Sequence, residues 1–175
     1  MVFGVNAYLT SGSSHLDSVK VGTVKLDSLI AVSSSTQKFV YLYGTKNLSA
    51  GSKTFSLYFS GGAAFRGCLG TVSMFGVNQT TPTGNTATVA GTSSDAISAN
   101  ITNATGEWVV DIIGEYASSS NYAVPNSPQT LSWSIRTNSD GENTFMSRKS
   151  ATGTTTDWTT TINEWNLAAV VIKAQ

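Results

Sequence analysis

Apolar residues along the chain fall in short runs of Val, Ile, Thr, Tyr and Phe. Clusters of Gly, Ser, Asn and Thr separate them, and helical periodicity is nearly absent. This is the pattern of many short strands at the spacing of a sandwich. It predicts strands near residues 2–9, 18–21, 24–26, 29–33, 38–43, 53–60, 63–75, 86–89, 96–101, 107–116, 130–136, 144–148, 155–160 and 167–173. Helix fits only at 127–129 or 162–165, about one turn each. Gly22-Thr23 lies between Val19-Lys20-Val21 and Val24-Lys25-Leu26, a two-residue hairpin with Gly first, as a type II′ turn requires; Asp140-Gly141 has the composition of a type I′ turn. Without βαβ spacing, the prediction for 1–175 is one all-β domain: an antiparallel sandwich, jelly-roll-like, with at most one or two short helical turns.

Two strands carry more specific information. Phe55, Leu57 and Phe59 alternate with Ser56, Tyr58 and Ser60, so one face points inward. From Trp108 to Ile113 both faces are apolar except at Asp111. That strand belongs in the middle of a sheet, and Asp111 needs a buried partner, with Arg66 and Arg136 as candidates.

Composition narrows the function. The 175 residues carry ten basic and ten acidic side chains, a charged fraction of 11% and a net charge of zero. A sequence-independent nucleic-acid binder needs a basic field, and an electrostatic membrane anchor needs a basic patch, so neither partner is expected. No apolar stretch approaches the length of a membrane span, and Met-Val-Phe-Gly-Val-Asn-Ala lacks the features of a signal peptide. Ser and Thr exceed a quarter of the residues, which makes the polar surface largely uncharged. Cys68, alone in an apolar run, reads as a buried, inert thiol.

Catalytic patterns are sparse. His15 is the one histidine, in a Ser- and Gly-rich segment with no Gly-x-Ser-x-Gly elbow, and reads as a solvated loop residue. Asp140-Gly141-Glu142-Asn143 lacks calcium-loop spacing and reads as a turn. Asp111, Glu115, Asp157 and Glu164 are the carboxylates from which a glycosidase pair would be drawn, and nothing in the sequence joins two of them. No phosphate-binding glycine loop is present, and four Asn-x-Ser/Thr sequons, at Asn47, Asn78, Asn100 and Asn103, are what chance produces in so Asn-, Ser- and Thr-rich a chain. The expectation is a non-enzymatic protein with no cofactor and no metal. Trp133, Trp158 and Trp165, with Tyr116 and Tyr122, are the candidates for a sugar-stacking platform, Tyr122, Trp133 and Trp158 foremost; the competing reading buries them in a core or a subunit contact.

The segment Phe75-Gly76-Val77-Asn78-Gln79-Thr80-Thr81-Pro82-Thr83-Gly84 resembles a loop, Gly-Val-(Asp/Asn)-Gln-Thr-Thr-Pro-x-Gly, of bacterial and phage β-sandwich domains found in surface proteins, secreted enzymes and phage structural proteins. Gly106-Glu107-Trp108-Val109-Val110-Asp111 and the C-terminal Ala168-Ala169-Val170-Val171-Ile172-Lys173-Ala174 resemble their neighbouring elements. The resemblance implies the sandwich fold and no shared catalytic residues. Such domains have a strand or two before the segment that Val2-Phe3-Gly4-Val5 resembles, which implies an open sheet edge at residues 2–9, ready to pair with another chain. The resulting expectation is a virion structural protein, made in the host cytoplasm: a capsid-decoration, head-fibre or tail-associated subunit. Its partners would be capsid or other virion proteins and copies of itself. The expected contact residues are Val2, Phe3, Val5, Tyr8, Asn78, Gln79 and Pro82, with Pro82 and Gly84 shaping the loop backbone. The alternative is an extracellular or cell-surface module that binds host glycan.

Overall fold

The computed structural model describes residues 1–9, 14–62, 65–92, 95–116, 122–136, 142–150, 152–161 and 164–175. Fifteen strands run through them: β1 (Val2–Leu9), β2 (His15–Val21), β3 (Val24–Lys25), β4 (Asp27–Ser33), β5 (Lys38–Gly44), β6 (Phe55–Ser60), β7 (Phe65–Val72), β8 (Thr83–Gly91), β9 (Asp95–Asn103), β10 (Trp108–Tyr116), β11 (Val124–Pro125), β12 (Thr130–Ile135), β13 (Glu142–Lys149), β14 (Gly153–Thr160) and β15 (Trp165–Ile172). Every pairing between them is antiparallel. The expected all-β antiparallel fold is what the chain adopts. No helix occurs among the described residues. Residues 127–129 form a reverse turn around the cis Ser127–Pro128 peptide, in which Gln129 N donates to Asn126 O at 2.9 Å. Trp165 of the other helix candidate begins β15, while 162–163, like the Asp140-Gly141 turn, lie outside the described residues.

The strands form four sheets. Two are central, with orders β4-β5-β1-β7 and β12-β13-β10-β15-β8; two are small, β3-β2-β6 and β11-β14-β9. Three cores show how they stack. Val2, Val40 and Leu42 of the first central sheet meet Ile112, Met146 and Val170 of the second. On its other face the first central sheet packs Phe3, Val5 and Tyr41 against Leu16 and Val19 of β2. The second central sheet packs Ile113, Phe145 and Leu167 against Ile97 and Trp158 of the β11-β14-β9 sheet. The sandwich is thus a pair of central sheets with a smaller sheet on each outer face.

Burial follows this layering. β15 is buried at every position, and β10 at all but its two half-buried ends. As expected, β10 lies in the middle of its sheet. β14, in an outer layer, alternates inward with outward positions. At Gly22, φ is 58° and Thr23 stays out of the positive region, so the β2–β3 hairpin turns as a type II′ turn does.

The open edge implied at the N-terminal strand is not there. β1 is paired on both sides, with β5 along 2–8 and with β7 along 2–9. Val2, Phe3 and Val5 are buried and Tyr8 is half-buried. A strand apolar on both faces is one that lies between layers, and β1 offers no backbone edge to a partner.

The partner of Asp111 also differs from expectation. Its carboxylate faces the β11-β14-β9 sheet, 1% exposed, and neutral groups hold it. Ser147 Oγ donates at 2.5 Å, Ser147 N at 3.2 Å, Gln129 Nε2 at 3.1 Å and Trp158 Nε1 at 3.2 Å, and Thr156 Oγ1 donates as well. Arg136 instead stacks on Tyr122. Hydrogen bonds do here what an ion pair was expected to do, because Asp111 points between two sheets where Thr, Ser and Trp are the neighbours.

Small residues set the spacing of the central sheets. A β-carbon on Gly4 would stand 2.5 Å from Ile112 Cδ1 and 2.6 Å from Met146 Cε; one on Gly114 would stand 2.7 Å from Val40 Cγ2. Replacing Gly4 by Val is expected to lower the unfolding free energy by about 1–3 kcal/mol through overpacking. Urea titration of the two proteins measures this, and equal midpoints at equal slopes would show that the sheets can move apart freely.

Candidate functional site

The candidate site lies where the β7–β8 connection crosses between the central sheets. Asn78 organises that connection. Its side-chain Oδ1 accepts from Thr80 N and Thr81 N, each at 2.9 Å, an Asx turn that folds the chain toward Pro82. The last residues of the chain pin it from the other side. Asn78 N donates to Lys173 O at 3.0 Å, Lys173 N to Pro82 O at 2.9 Å, Gln175 N to Gly76 O at 2.7 Å, and Val77 bridges Ala174. Gly76, at φ 64°, supplies the left-handed step. A neighbouring loop joins through Lys46 Nζ, which donates to Gln79 O at 2.6 Å, and Met1 and Thr45 bond reciprocally through their backbones.

These segments enclose a pocket of about 360 Å³. Val2, Leu29, Met74, Val77, Pro82 and Ile172 supply its apolar wall. Asp27, Thr45, Lys46, Asn47, Gln79 and Thr80 supply the polar part. Phe75, between the lining residues Met74 and Val77, is not part of the lining and is 96% exposed. No other large apolar side chain among the described residues is as exposed; the next is Val124 at 58%.

Of the residues expected to make contacts, the structure brings Val2, Gln79 and Pro82 together in this pocket. Asn78 acts on its own loop, and Phe3 and Val5 are sealed in the core beneath the β3-β2-β6 sheet. Gly84 has an ordinary φ and instead makes room for Val171, 3.2 Å from where its β-carbon would stand. Sequence reasoning missed Phe75, Lys46 and Leu29. The strand expected at 63–75 stops at Val72, which leaves Phe75 in the connection, beside Gly76 and after the polar Ser73.

The aromatic platform is not assembled. Trp158 is fully buried and spends its N–H on Asp111. Trp165 is buried too. Trp133 is half-buried and lies against β7, where a β-carbon on Gly70 would be 2.0 Å from its ring. Tyr122 meets Phe145 edge-on, and the Arg136 guanidinium lies 3.3 Å from its ring centre, over the face a sugar would need. Tyr116 faces inward and donates from its hydroxyl to Asn6 Oδ1 at 2.7 Å.

His15 heads β2 rather than a loop, and its surroundings resemble a catalytic triad at first sight. His15 Nε2 is 2.8 Å from Asp17 Oδ1, and Ser60 Oγ is 3.0 Å from Nδ1 and 3.1 Å from Nε2. An oxygen so nearly equidistant from both ring nitrogens lies over the ring face, since an in-plane position would collide with Cε1. The Ser60 hydroxyl is therefore off the lone-pair axis along which a proton would pass. His15 and Asp17 are 61% and 43% exposed, so water screens the pair. The contacts follow from strand register, because His15 pairs with Ser60.

Asp111 and Glu115 face the same way from β10, four residues and so about 13 Å apart, farther than either glycosidase geometry. Asp157 accepts from Thr155 Oγ1 at 2.8 Å, and Glu164 pairs with Lys38. Among the described residues no three of His, Cys, Asp and Glu stand together as a metal site. Cys68 is buried, and burial pushes its thiol pKa up, away from the reactive thiolate. No protein-family model, curated protein or solved structure matches the chain.

The buried acids bear on stability. Burial raises Glu115 to about 7 from 4.5, with the Thr160 hydroxyl at 2.5 Å opposing part of the shift, and raises Asp111 in the same direction. Between pH 4.5 and about 7 the folded protein keeps a proton on Glu115 that the unfolded chain releases. Stability is therefore highest below that window and falls as pH rises through it. Glu115→Gln removes this contribution and flattens the fall. Urea midpoints at pH about 5 and about 8 test this, and identical pH slopes in the two proteins would refute it.

Proposed function

We propose that this chain is a non-enzymatic structural protein of a virion, a capsid-decoration, head-fibre or tail-associated subunit, that works by protein–protein assembly. The observation that carries the reading is Phe75. A 96% exposed aromatic, on a turn fastened to the residues that follow the last strand and flanked by residues of an apolar pocket, is a ready contact point. It stands in the loop whose sequence resembles that of phage and bacterial sandwich domains. The zero net charge and Ser/Thr-rich surface support the same reading, since copies packed side by side would not repel one another.

The mechanism is passive. A rigid subunit that binds only the assembled form of its partners stabilises that form by mass action. Virion proteins and copies of this chain are the partners, and the virion is the location. The glycan-binding reading loses support where Trp158 is sealed in the core and Arg136 covers Tyr122.

Light scattering across a concentration series, with a glycan array on the same preparation, tests the proposal. The expected result is a discrete closed oligomer that retains no glycan. A monomer at every concentration that binds a defined glycan would overturn it.

A further inference from the structure

We infer that two copies of this chain associate about a two-fold axis, each placing Phe75 in the other's pocket beside the β7–β8 connection. The inference rests on the assembly reading and names the partner of that same site as a second copy.

Size is the first argument. A dry cavity of roughly 150 Å³ accepts benzene. The pocket holds about 360 Å³, enough for a phenyl ring with its Cβ. Its wall of Val2, Leu29, Met74, Val77, Pro82 and Ile172 is the surface such a ring would dehydrate. Phe75 of the same chain is 96% exposed and does not fill it.

Placement is the second. Met74 and Val77, which bracket Phe75, both line the pocket, so knob and hole are adjacent on the surface. A knob that fits a hole on a distant face builds an open chain of subunits. A knob beside its hole closes with one two-fold operation, residue i touching j and j touching i. The Phe75 turn is also held by Gln175 N on Gly76 O and by the Val77–Ala174 bridge, so little backbone freedom remains to be lost on binding.

Charge is the third. Asp27 and Lys46 line the same pocket, one of each sign, and among the described residues Asp27 makes no ion pair. A pocket that carries one charge of each sign is self-complementary, so a second copy can set its own Lys46 and Asp27 against it without like charges being forced together. Zero net charge removes long-range repulsion between copies.

Sedimentation equilibrium of the full chain, from micromolar to near-millimolar, tests the inference. The wild-type protein is expected to dimerise reversibly. Phe75→Ser removes the knob and keeps the hole; Thr80→Trp, at an exposed position, fills the hole and keeps the knob. Each variant loses both ring contacts of a symmetric dimer and is expected to weaken it at least ~100-fold. Mixing the two variants restores one knob-in-hole pair, so a heterodimer of intermediate affinity is expected. A wild-type protein that stays monomeric overturns the inference. An oligomer that survives both substitutions also overturns it, while leaving the assembly reading in place. A monomer that binds a defined glycan overturns both.

Discussion

Everything in this fold depends on two central sheets whose middle strands, β1, β10 and β15, are covered on both faces. Once a sheet is covered above and below, alternating polar positions cannot be turned to solvent. Every polar atom on it must find a partner inside. β1 meets this with one polar side chain on its buried length. Asn6 donates to Thr144 Oγ1 at 2.9 Å and to Asn143 O at 3.2 Å, and accepts from the Tyr116 hydroxyl. That small network ties β1, β10 and β13 together across the gap between the central sheets. Gly4 and Gly114 flank it and let the backbones come close enough for it to form. On the far side of the second sheet, the Asp111 cluster makes a similar bridge to the outer layer. The price of such bridges is that both Asp111 and Glu115 are held where the charged form is disfavoured.

The strands were legible because each layer leaves a local mark. Predicted and observed bounds agree within a few residues for most of the chain, and at 2–9 they coincide. The tight Gly22-Thr23 hairpin and the central position of β10 were legible for the same reason. What no local pattern carries is which sheets stack on which. The run Val2–Leu9 illustrates the loss. Its near-continuous run of apolar residues suits a strand covered on both faces, which is how the structure buries it. The resemblance to domains with an additional preceding strand pointed instead to an open edge. The structure sides with the pattern. Asp111 was correctly marked as a buried acid in need of a partner, but its partners come from β13, β14 and the 126–129 turn, far apart in sequence, so only the fold identifies them.

The candidate site was half legible for a related reason. Gln79 and Pro82 stood out as part of a distinctive loop, and they do line the pocket. Leu29 and Lys46 arrive from β4 and from the connection after β5, and nothing local announces them. The aromatic candidates failed in the opposite direction. Trp133 and Trp158 sit in strands of alternating pattern, where a large side chain pointing inward fills a core before it serves a ligand. Tyr122 lies closer to solvent, but a guanidinium stacked on its ring occupies the surface on which a sugar would rest.

The same physics explains why the exposed Phe75 carries more weight than the buried aromatics. A core residue answers to packing, and its identity follows from the space around it. A phenyl ring 96% open to water answers to nothing in its own chain, and exchange for a polar side chain would leave the fold's contacts unchanged. A single exposed apolar residue is ordinary on a protein surface. This one differs because its backbone is fastened at Gly76, Val77 and Asn78 to the end of the chain, and because an apolar hollow opens beside it. A loose loop would let the ring fold back into that hollow and bury both. The fastening fixes the backbone that carries the ring, and the hollow lies beside that same segment, lined by Met74 and Val77.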